Sequence, residues 1–225
     1  MSALSGELSN TGVFATAGTF IAFEGGEGSG KSTQSQLLKV ALEERGQEVL
    51  LTREPGGTNL GKVLRGILLD PETGSLAPRA EALLYAADRA HHVETVIKPA
   101  LAKQTVVITD RYIDSSVAYQ GGGRVLSGQE IARISRWATD GLTPTLTILL
   151  DLPAQIGFGR FTERDRLESE PLDFHERVRS TFLERAALYS DRYLVVDATQ
   201  SKEDISAQIL ERVLRLNSIS RAKDK

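Results

Sequence analysis

At 225 residues, 40% of them hydrophobic and 25% charged, the chain has the size and composition of one ordinary globular α/β domain with a full core. It has no cysteine, which excludes a disulfide scaffold, a cysteine-ligated metal site and a cysteine nucleophile. A net charge of −3 argues against non-specific nucleic-acid binding, which needs a broadly basic surface. No apolar run is long enough to cross a bilayer, so neither nucleic acid nor membrane is expected as a partner.

Anionic ligands would therefore have to be held by local cation clusters. Arginine outnumbers lysine by 19 to 8, and its planar fork suits bidentate phosphate contacts. Residues 1–18 are rich in Ser, Thr, Gly and Ala and lack the basic start and long apolar core of a secretory signal. A disordered tail on a cytoplasmic protein is the expectation, with residues 19–225 forming a single domain.

Thr19 to Glu24 reads as a strand ended by the glycine run Gly25 to Gly30. Ser32 to Arg45 is a helix with Leu37, Leu38, Ala41 and Leu42 on one face and Gly46 at its C-terminal cap. Val49 to Leu51 is a second strand, followed by a turn-rich run from Thr52 to Thr58. Helices are expected over Leu60 to Leu69 and Arg79 to Val96, and a buried strand over Thr105 to Thr109. Ser127 and Glu130 form a capping-box pattern opening a helix through Trp137. Leu146 to Leu150 is a strand ending at Asp151. Asp173 and Glu176 are spaced similarly before a helix to Tyr189. Tyr193 to Val196 is a last strand and Lys202 to Leu216 a closing helix. Strands alternating with helices predict a five-stranded parallel sheet covered on both faces. The charged segment Phe158 to Leu172 breaks the pattern and reads as mobile.

Gly25-Gly26-Glu27-Gly28-Ser29-Gly30-Lys31-Ser32 matches G-x-x-x-x-G-K-[ST] in full, between a predicted strand and a predicted helix. Glycines there let successive backbone N–H groups converge on phosphate oxygens at a helix N-terminus. This is a P-loop, with Lys31 placed for the β- and γ-phosphates of ATP and the Ser32 hydroxyl for Mg²⁺. No Asn-Lys-x-Asp guanine-reading motif occurs, and no hydrophobic strand ends in Asp-Glu as in hydrolytic ATPases. The strand from Thr105 runs into Asp110-Arg111-Tyr112. In an open α/β sheet this places Asp110 and Arg111 at the same crevice as the P-loop, where Arg111 can grip an acceptor phosphate or simply pair with Asp110.

Three segments in order resemble the thymidylate kinase family: Thr52-Arg53-Glu54-Pro55-Gly56-Gly57-Thr58, Asp110-Arg111-Tyr112, and Ser115 to Arg124 with its Ala-Tyr-Gln-Gly-Gly-Gly-Arg ending. Val93 to Leu101 is similar to the bacterial members, and the resemblance spans Thr19 to Leu216. It implies a nucleoside-monophosphate-kinase type of P-loop fold, transfer of the γ-phosphate of ATP to dTMP with Mg²⁺, and a homodimer. Carried over by position, it implies Glu27 near the sugar 3′-hydroxyl, Arg53 on the dTMP phosphate, Tyr85 stacked on thymine and Arg89 hydrogen-bonded to it. Tyr85 stands where the family usually has Phe, and it is also readable as a core aromatic. Ser116 and Tyr119 fall near base and sugar, the Tyr crowding a 2′-hydroxyl. Gln120 and Arg124 flank a glycine run that contacts the acceptor or forms a plain flexible turn.

Bacterial members place a catalytic arginine in a lid, and the residue at the alternative P-loop position here is Gly28. On composition alone the segment of about residues 158–172 reads as a solvated helix face neutralised by Glu163, Asp165 and Glu168. The resemblance instead implies a lid that supplies the arginine from Arg160, Arg164 or Arg166, with Arg160 and Arg164 at helical spacing. The rival readings are a kinase for another monophosphate or a deoxynucleoside, and a P-loop regulatory ATPase. His91 and His92, adjacent on a helix, cannot face one metal together and read as solvated or partly buried. Trp137 reads as packing or a subunit contact. Asp197 to Thr199 borders the adenine or is a plain turn.

Overall fold

Five apolar runs become one parallel sheet: β1 Phe20–Glu24, β2 Val49–Arg53, β3 Val106–Asp110, β4 Leu146–Asp151 and β5 Tyr193–Asp197. Their order is β2-β3-β1-β4-β5. The computed structural model describes residues 13–14, 18–124, 126–160 and 165–223, with side chains from 18 to 216 within those ranges. The tail expected over 1–18 thus lies almost wholly outside the described residues. Val13–Phe14 forms a separate two-residue parallel pairing with Leu142–Thr143.

Alternate residues of the central strands are buried on opposite faces. Ile21, Phe23, Ile108 and Ile148 join Leu38, Leu42, Ile209 and Val213 in one cluster, while Phe20, Ala22 and Val107 join Val93, Ile97 and Tyr112 in another. Both sheet faces are therefore apolar, which is why the strands read as unbroken hydrophobic runs rather than alternating ones. The covering helices are α1 Lys31–Glu43, α2 Asn59–Leu69, α3 Pro78–His92, α4 Ile113–Ser116, α5 Gly128–Ala138, α6 Ala154–Phe158, α7 Leu172–Leu188 and α8 Lys202–Lys223. α3 runs on through a π-helical turn, Val93–Ile97, into Lys98–Ala102.

Four local expectations are corrected. β2 reaches Arg53 rather than Leu51, because Thr52 and Arg53 pair with Thr109 and Asp110 of β3 despite the turn-like composition beyond them. Ser127 is the N-cap of α5, but its side chain makes no cap hydrogen bond. α7 begins at Leu172 after Pro171, so Asp173 lies inside the first turn and is not its cap. α4 continues as a π-helical stretch, Val117–Gly123, where the glycines allowed a flexible turn. Added Cβ atoms at Gly122 and Gly123 would fall 2.0 Å from Thr181 Oγ1 and 2.4 Å from Phe174 Cε2. These glycines are a packing surface for α7.

β1 lies between β3 and β4, so chain crossovers leave it in opposite directions. That is the topological switch point where open α/β sheets bind ligands at their carboxyl ends. β1, β2 and β3 deliver the P-loop, Arg53 and Arg111 to this one rim.

Candidate active site

The P-loop joins β1 to α1 and depends on its glycines. Gly25 has φ 140°, and a Cβ there would come 2.5 Å from Leu150 O, so both conformation and space demand glycine. Gly30, at φ 92°, is the N-cap of α1 and offers no side-chain cap, which leaves first-turn N–H groups directed at the crevice. Lys31 is buried and donates from Nζ to Gly26 O at 2.7 Å and to Ser29 Oγ at 3.3 Å. Burial and then the neighbouring Arg111 charge lower its pKa. Ser32 Oγ donates to Asp110 Oδ2 at 2.6 Å. A hydroxyl and a carboxylate in one cleft are hard oxygen donors that suit Mg²⁺ when phosphates supply further ligands. Among the described residues no group of three or more His, Asp or Glu could hold a metal alone.

Arg111 follows β3 in the left-handed region, at φ 71°, a costly conformation for a side-chain-bearing residue and one that clusters at functional sites. Its N–H bonds Phe23 O at 2.9 Å, and the turn swings its guanidinium back over the P-loop. Nη2 meets Glu27 Oε1 at 2.6 Å and Tyr119 OH at 3.2 Å; Nη1 donates to Gly25 O and Ser115 Oγ. The Tyr119 hydroxyl donates to Glu27 Oε1 at 2.7 Å. Burial pushes the Glu27 carboxyl up, but Arg111, Lys31 and the Tyr119 hydrogen bond outweigh it and hold the pKa at about 2. Glu27 is a fixed anion that orients the Arg111 guanidinium and the Tyr119 hydroxyl.

Two cavities meet at this pair. One is lined by Glu27, Tyr85, Arg89, Arg111, Ser116, Tyr119 and Gln120, among others, and the second by Glu27, Gly28, Gly30, Lys31, Ser32, Arg53, Asp110 and Arg111. Of the acceptor-side residues expected from sequence, Glu27, Arg53, Tyr85, Arg89, Arg111, Ser116, Tyr119 and Gln120 line these two cavities, which share Glu27 and Arg111, while Arg124 lines neither. Tyr85 is 8% exposed and packs against Leu68, Tyr119 and Phe182, so it is both a core aromatic and a cavity wall. Gln120 lines the cavity but gives its amide to Glu81 Oε1 at 3.0 Å. Arg53, exposed at the end of β2, lines the cleft beside the P-loop.

A scan against protein-family models matches residues 23–209 to "Thymidylate kinase". A thymidylate kinase of Clavibacter sepedonicus is 58% identical over 87% of this chain and 94% of that relative. One from Cutibacterium acnes is 48% identical over 88% and 98%. The chain belongs to the thymidylate kinase family. The crystal structure of thymidylate kinase from Ehrlichia chaffeensis superposes with a TM-score of 0.73 at 32% identity, covering 88% of this chain and 99% of that one.

Within this thymidylate kinase fold the lid candidates separate. Arg160 Nη1 donates to Gly28 O at 2.6 Å, which sets it on the P-loop itself. Arg164 lies outside the described residues. Arg166 donates to Leu68 O at 2.8 Å and contacts Glu81 Oε2 at 2.6 Å, so it is tied to α2 and α3. Arg124 is likewise held by Glu81 and Glu170. Glu81 draws in Gln120, Arg124 and Arg166, and their hydrogen bonds and charges keep its pKa low against burial.

Several residues of the thymidylate kinase crevice escaped the sequence reading. Arg65 of α2 lines both cavities and donates to Pro55 O at 3.1 Å; on an amphipathic helix it resembles any surface cation. Glu54 holds the buried Arg89 through Nε at 2.7 Å. Removing one partner of such a buried pair costs about 3–5 kcal/mol. Asp165 and Glu168 border the acceptor cavity, and only their position in the charged lid segment hinted at it.

Glu24, fully buried behind the P-loop, accepts from Tyr112 N, Ser115 N and Ser115 Oγ. Burial, with the Asp114 charge, pushes its carboxyl up to about 7 from 4.5. The folded state then holds a proton the unfolded state releases, so this group's contribution to stability falls as pH rises from about 4.5 to about 7. Glu24→Gln should flatten the decline in unfolding free energy between pH 5 and pH 8 relative to the parent. Chemical denaturation at both pH values checks this, and an unchanged slope contradicts it.

Proposed function

We propose that the chain transfers the γ-phosphoryl group of ATP to the phosphate of dTMP, with the two anions meeting at the Glu27–Arg111 waist. The observation that carries this reading is the sharing of Glu27 and Arg111 between the P-loop cleft and the Tyr85–Arg89 cavity. The acceptor phosphate oxygen attacks the γ-phosphorus, the bridge from γ-phosphorus to the β-phosphate oxygen breaks, and ADP leaves. Little covalent chemistry falls to the protein, so its work is positioning and charge stabilisation.

In this reading the P-loop amides and Lys31 hold the β- and γ-phosphates, while Arg111 bridges acceptor and donor. Arg53 and Arg65 face the acceptor phosphate. Tyr85 stacks on the thymine ring, a contact worth about 1–3 kcal/mol in related base stacking. Arg89 and Ser116 address the base edge, Tyr119 and Glu27 the sugar, and Gln120 closes the cavity wall. Ser32 and Asp110 would hold Mg²⁺, which when bound neutralises phosphate charge. Arg160, seated on Gly28 O, reaches the phosphates from the lid, and Arg164 stays a candidate by its place in the sequence. The lid and P-loop domain form one catalytic unit, and the exposed Val63, Leu83 and Trp137, on helices α2, α3 and α5, suit a homodimer contact that sedimentation would reveal.

Incubation with Mg²⁺-ATP and, separately, dTMP, dUMP, AMP, dGMP and thymidine tests the assignment by ADP release. Dominant turnover of dTMP is expected; dominant turnover of AMP or thymidine overturns the substrate. Arg160→Ala should lower kcat by about 10²-fold, as for loss of one transition-state donor, with ATP affinity changed less than threefold. Parent-like kcat in Arg160→Ala and in Arg164→Ala would remove the lid from the reaction.

A further inference from the structure

His92, adjacent to the exposed His91, is entirely buried, where the sequence suggested a solvated or partly buried ring. Its Nδ1 lies 2.9 Å from Glu54 Oε1 and its Nε2 lies 2.7 Å from Thr52 Oγ1. A carboxylate only accepts, so Nδ1 carries a proton. The other Glu54 oxygen, Oε2, takes Arg89 Nε at 2.7 Å. The remaining Arg89 nitrogens are aimed by Ser116 Oγ and Tyr112 O, each at 3.0 Å. A four-residue relay therefore runs from β2 through His92 and Glu54 to the arginine lining the acceptor cavity. The turn after β2 is shaped around the ring: a Cβ at Gly57 would fall 2.5 Å from His92 Nε2 and 2.7 Å from Thr52 Oγ1.

We propose that His92 is a positioning residue for recognition of the acceptor base, acting through Glu54 on Arg89. With His92 in place each Glu54 oxygen has one strong partner, and the carboxylate plane that aligns the Arg89 fork is fixed. Without it, Oε1 loses its donor, the carboxylate turns about its Cγ–Cδ bond, and the guanidinium loses its aim. The proposal rests on Arg89 facing the thymine, as in the function proposed above. An arginine only donates, so it favours a base with an acceptor oxygen at C4 over one with an amino group there. A loosened Arg89 loses that preference before it loses catalysis.

The test uses the full chain carrying His92→Leu, His92→Asn, Gly57→Ala or Arg89→Gln, with kcat and KM measured for dTMP, dCMP and ATP. His92→Leu should raise KM for dTMP roughly tenfold, the scale of one charge-assisted hydrogen bond, with kcat and KM for ATP within twofold. Its preference for dTMP over dCMP should narrow by about the same factor. His92→Asn retains a donor toward Glu54 and should recover most of the loss, while Gly57→Ala, which displaces the ring, should reproduce it. KM for dTMP within twofold of the parent in His92→Leu and Gly57→Ala overturns the proposal, as does an equal loss toward ATP and dTMP. Should His92→Leu not fold, Gly57→Ala decides by the same criteria, with His92→Asn as the rescue control. Arg89→Gln separates the two levels. If it is impaired toward dTMP while the His92 and Gly57 variants are not, only the relay fails; if it binds dTMP like the parent, the base-reading role of Arg89 fails and the relay with it.

Discussion

Arg111→Ala is expected to lower kcat at least 10³-fold, the lower end of the effect of arginines that stabilise phosphoryl-transfer transition states. The guanidinium touches Glu27, Gly25, Ser115 and Tyr119 at once, and its backbone is held at φ 71° to make those contacts. Burial lowers its pKa, but the Glu27 and Asp110 charges outweigh that and hold it well above the usual arginine value, so it is a permanent cation where two phosphates would repel each other. The loss should therefore fall on turnover more than on either KM. A second signature follows from Glu27. With Arg111 gone, burial is opposed only by Lys31, the Tyr119 hydroxyl and His175 among its main neighbours, so the Glu27 pKa rises from about 2 towards the carboxylate range. Steady-state kinetics of the variant from pH 4 to pH 8 should show an acid limb absent from the parent. Parent-like kcat would remove Arg111 from the transition state.

Lys31→Met should lower kcat roughly 10³-fold and weaken ATP binding as well. Methionine keeps the apolar stem of a side chain that is only 7% exposed, so the fold should persist while the charge is lost. Lys31 Nζ now rests on Gly26 O and Ser29 Oγ, within the loop whose amides would hold the phosphates. Burial and the neighbouring Arg111 charge lower its pKa, so a phosphate anion that offsets the repulsion between the two cations should bind strongly there. Isothermal titration with ATP and single-turnover kinetics would separate the binding loss from the catalytic one, and a variant with unaltered turnover would contradict the role.

The parts of this architecture encoded by short-range pattern were legible in the sequence. The P-loop announces itself because glycine, lysine and serine at fixed spacing have one physical use between a strand and a helix, and Gly25 meets that demand through its φ and its approach to Leu150. The five strands were visible as short apolar runs, and the central ones, β1, β3 and β4, are buried on both faces. Asp110 and Arg111 could be placed because a strand end in a parallel sheet has a known address. What could not be read was produced by contacts distant in sequence. The π-helical stretch Val117–Gly123 depends on α7, whose Thr181 and Phe174 fill the space beside its glycines. Arg65 and Glu54 become site residues only when α2 and the turn after β2 fold over Arg89. Arg166 looked interchangeable with Arg160 in a run of lid arginines, yet Glu81, 85 positions earlier in the chain, claims it.

The most direct measurement is a crystal structure with thymidine and adenosine joined through their 5′-oxygens by a phosphate chain that spans donor and acceptor. The expected result is Lys31 Nζ within about 3.2 Å of the β- or γ-equivalent oxygens, Arg111 on the phosphate nearest thymidine, and the thymine ring over Tyr85 beside Arg89. Phosphates lying away from Lys31, with Arg111 touching none of them, would contradict the account.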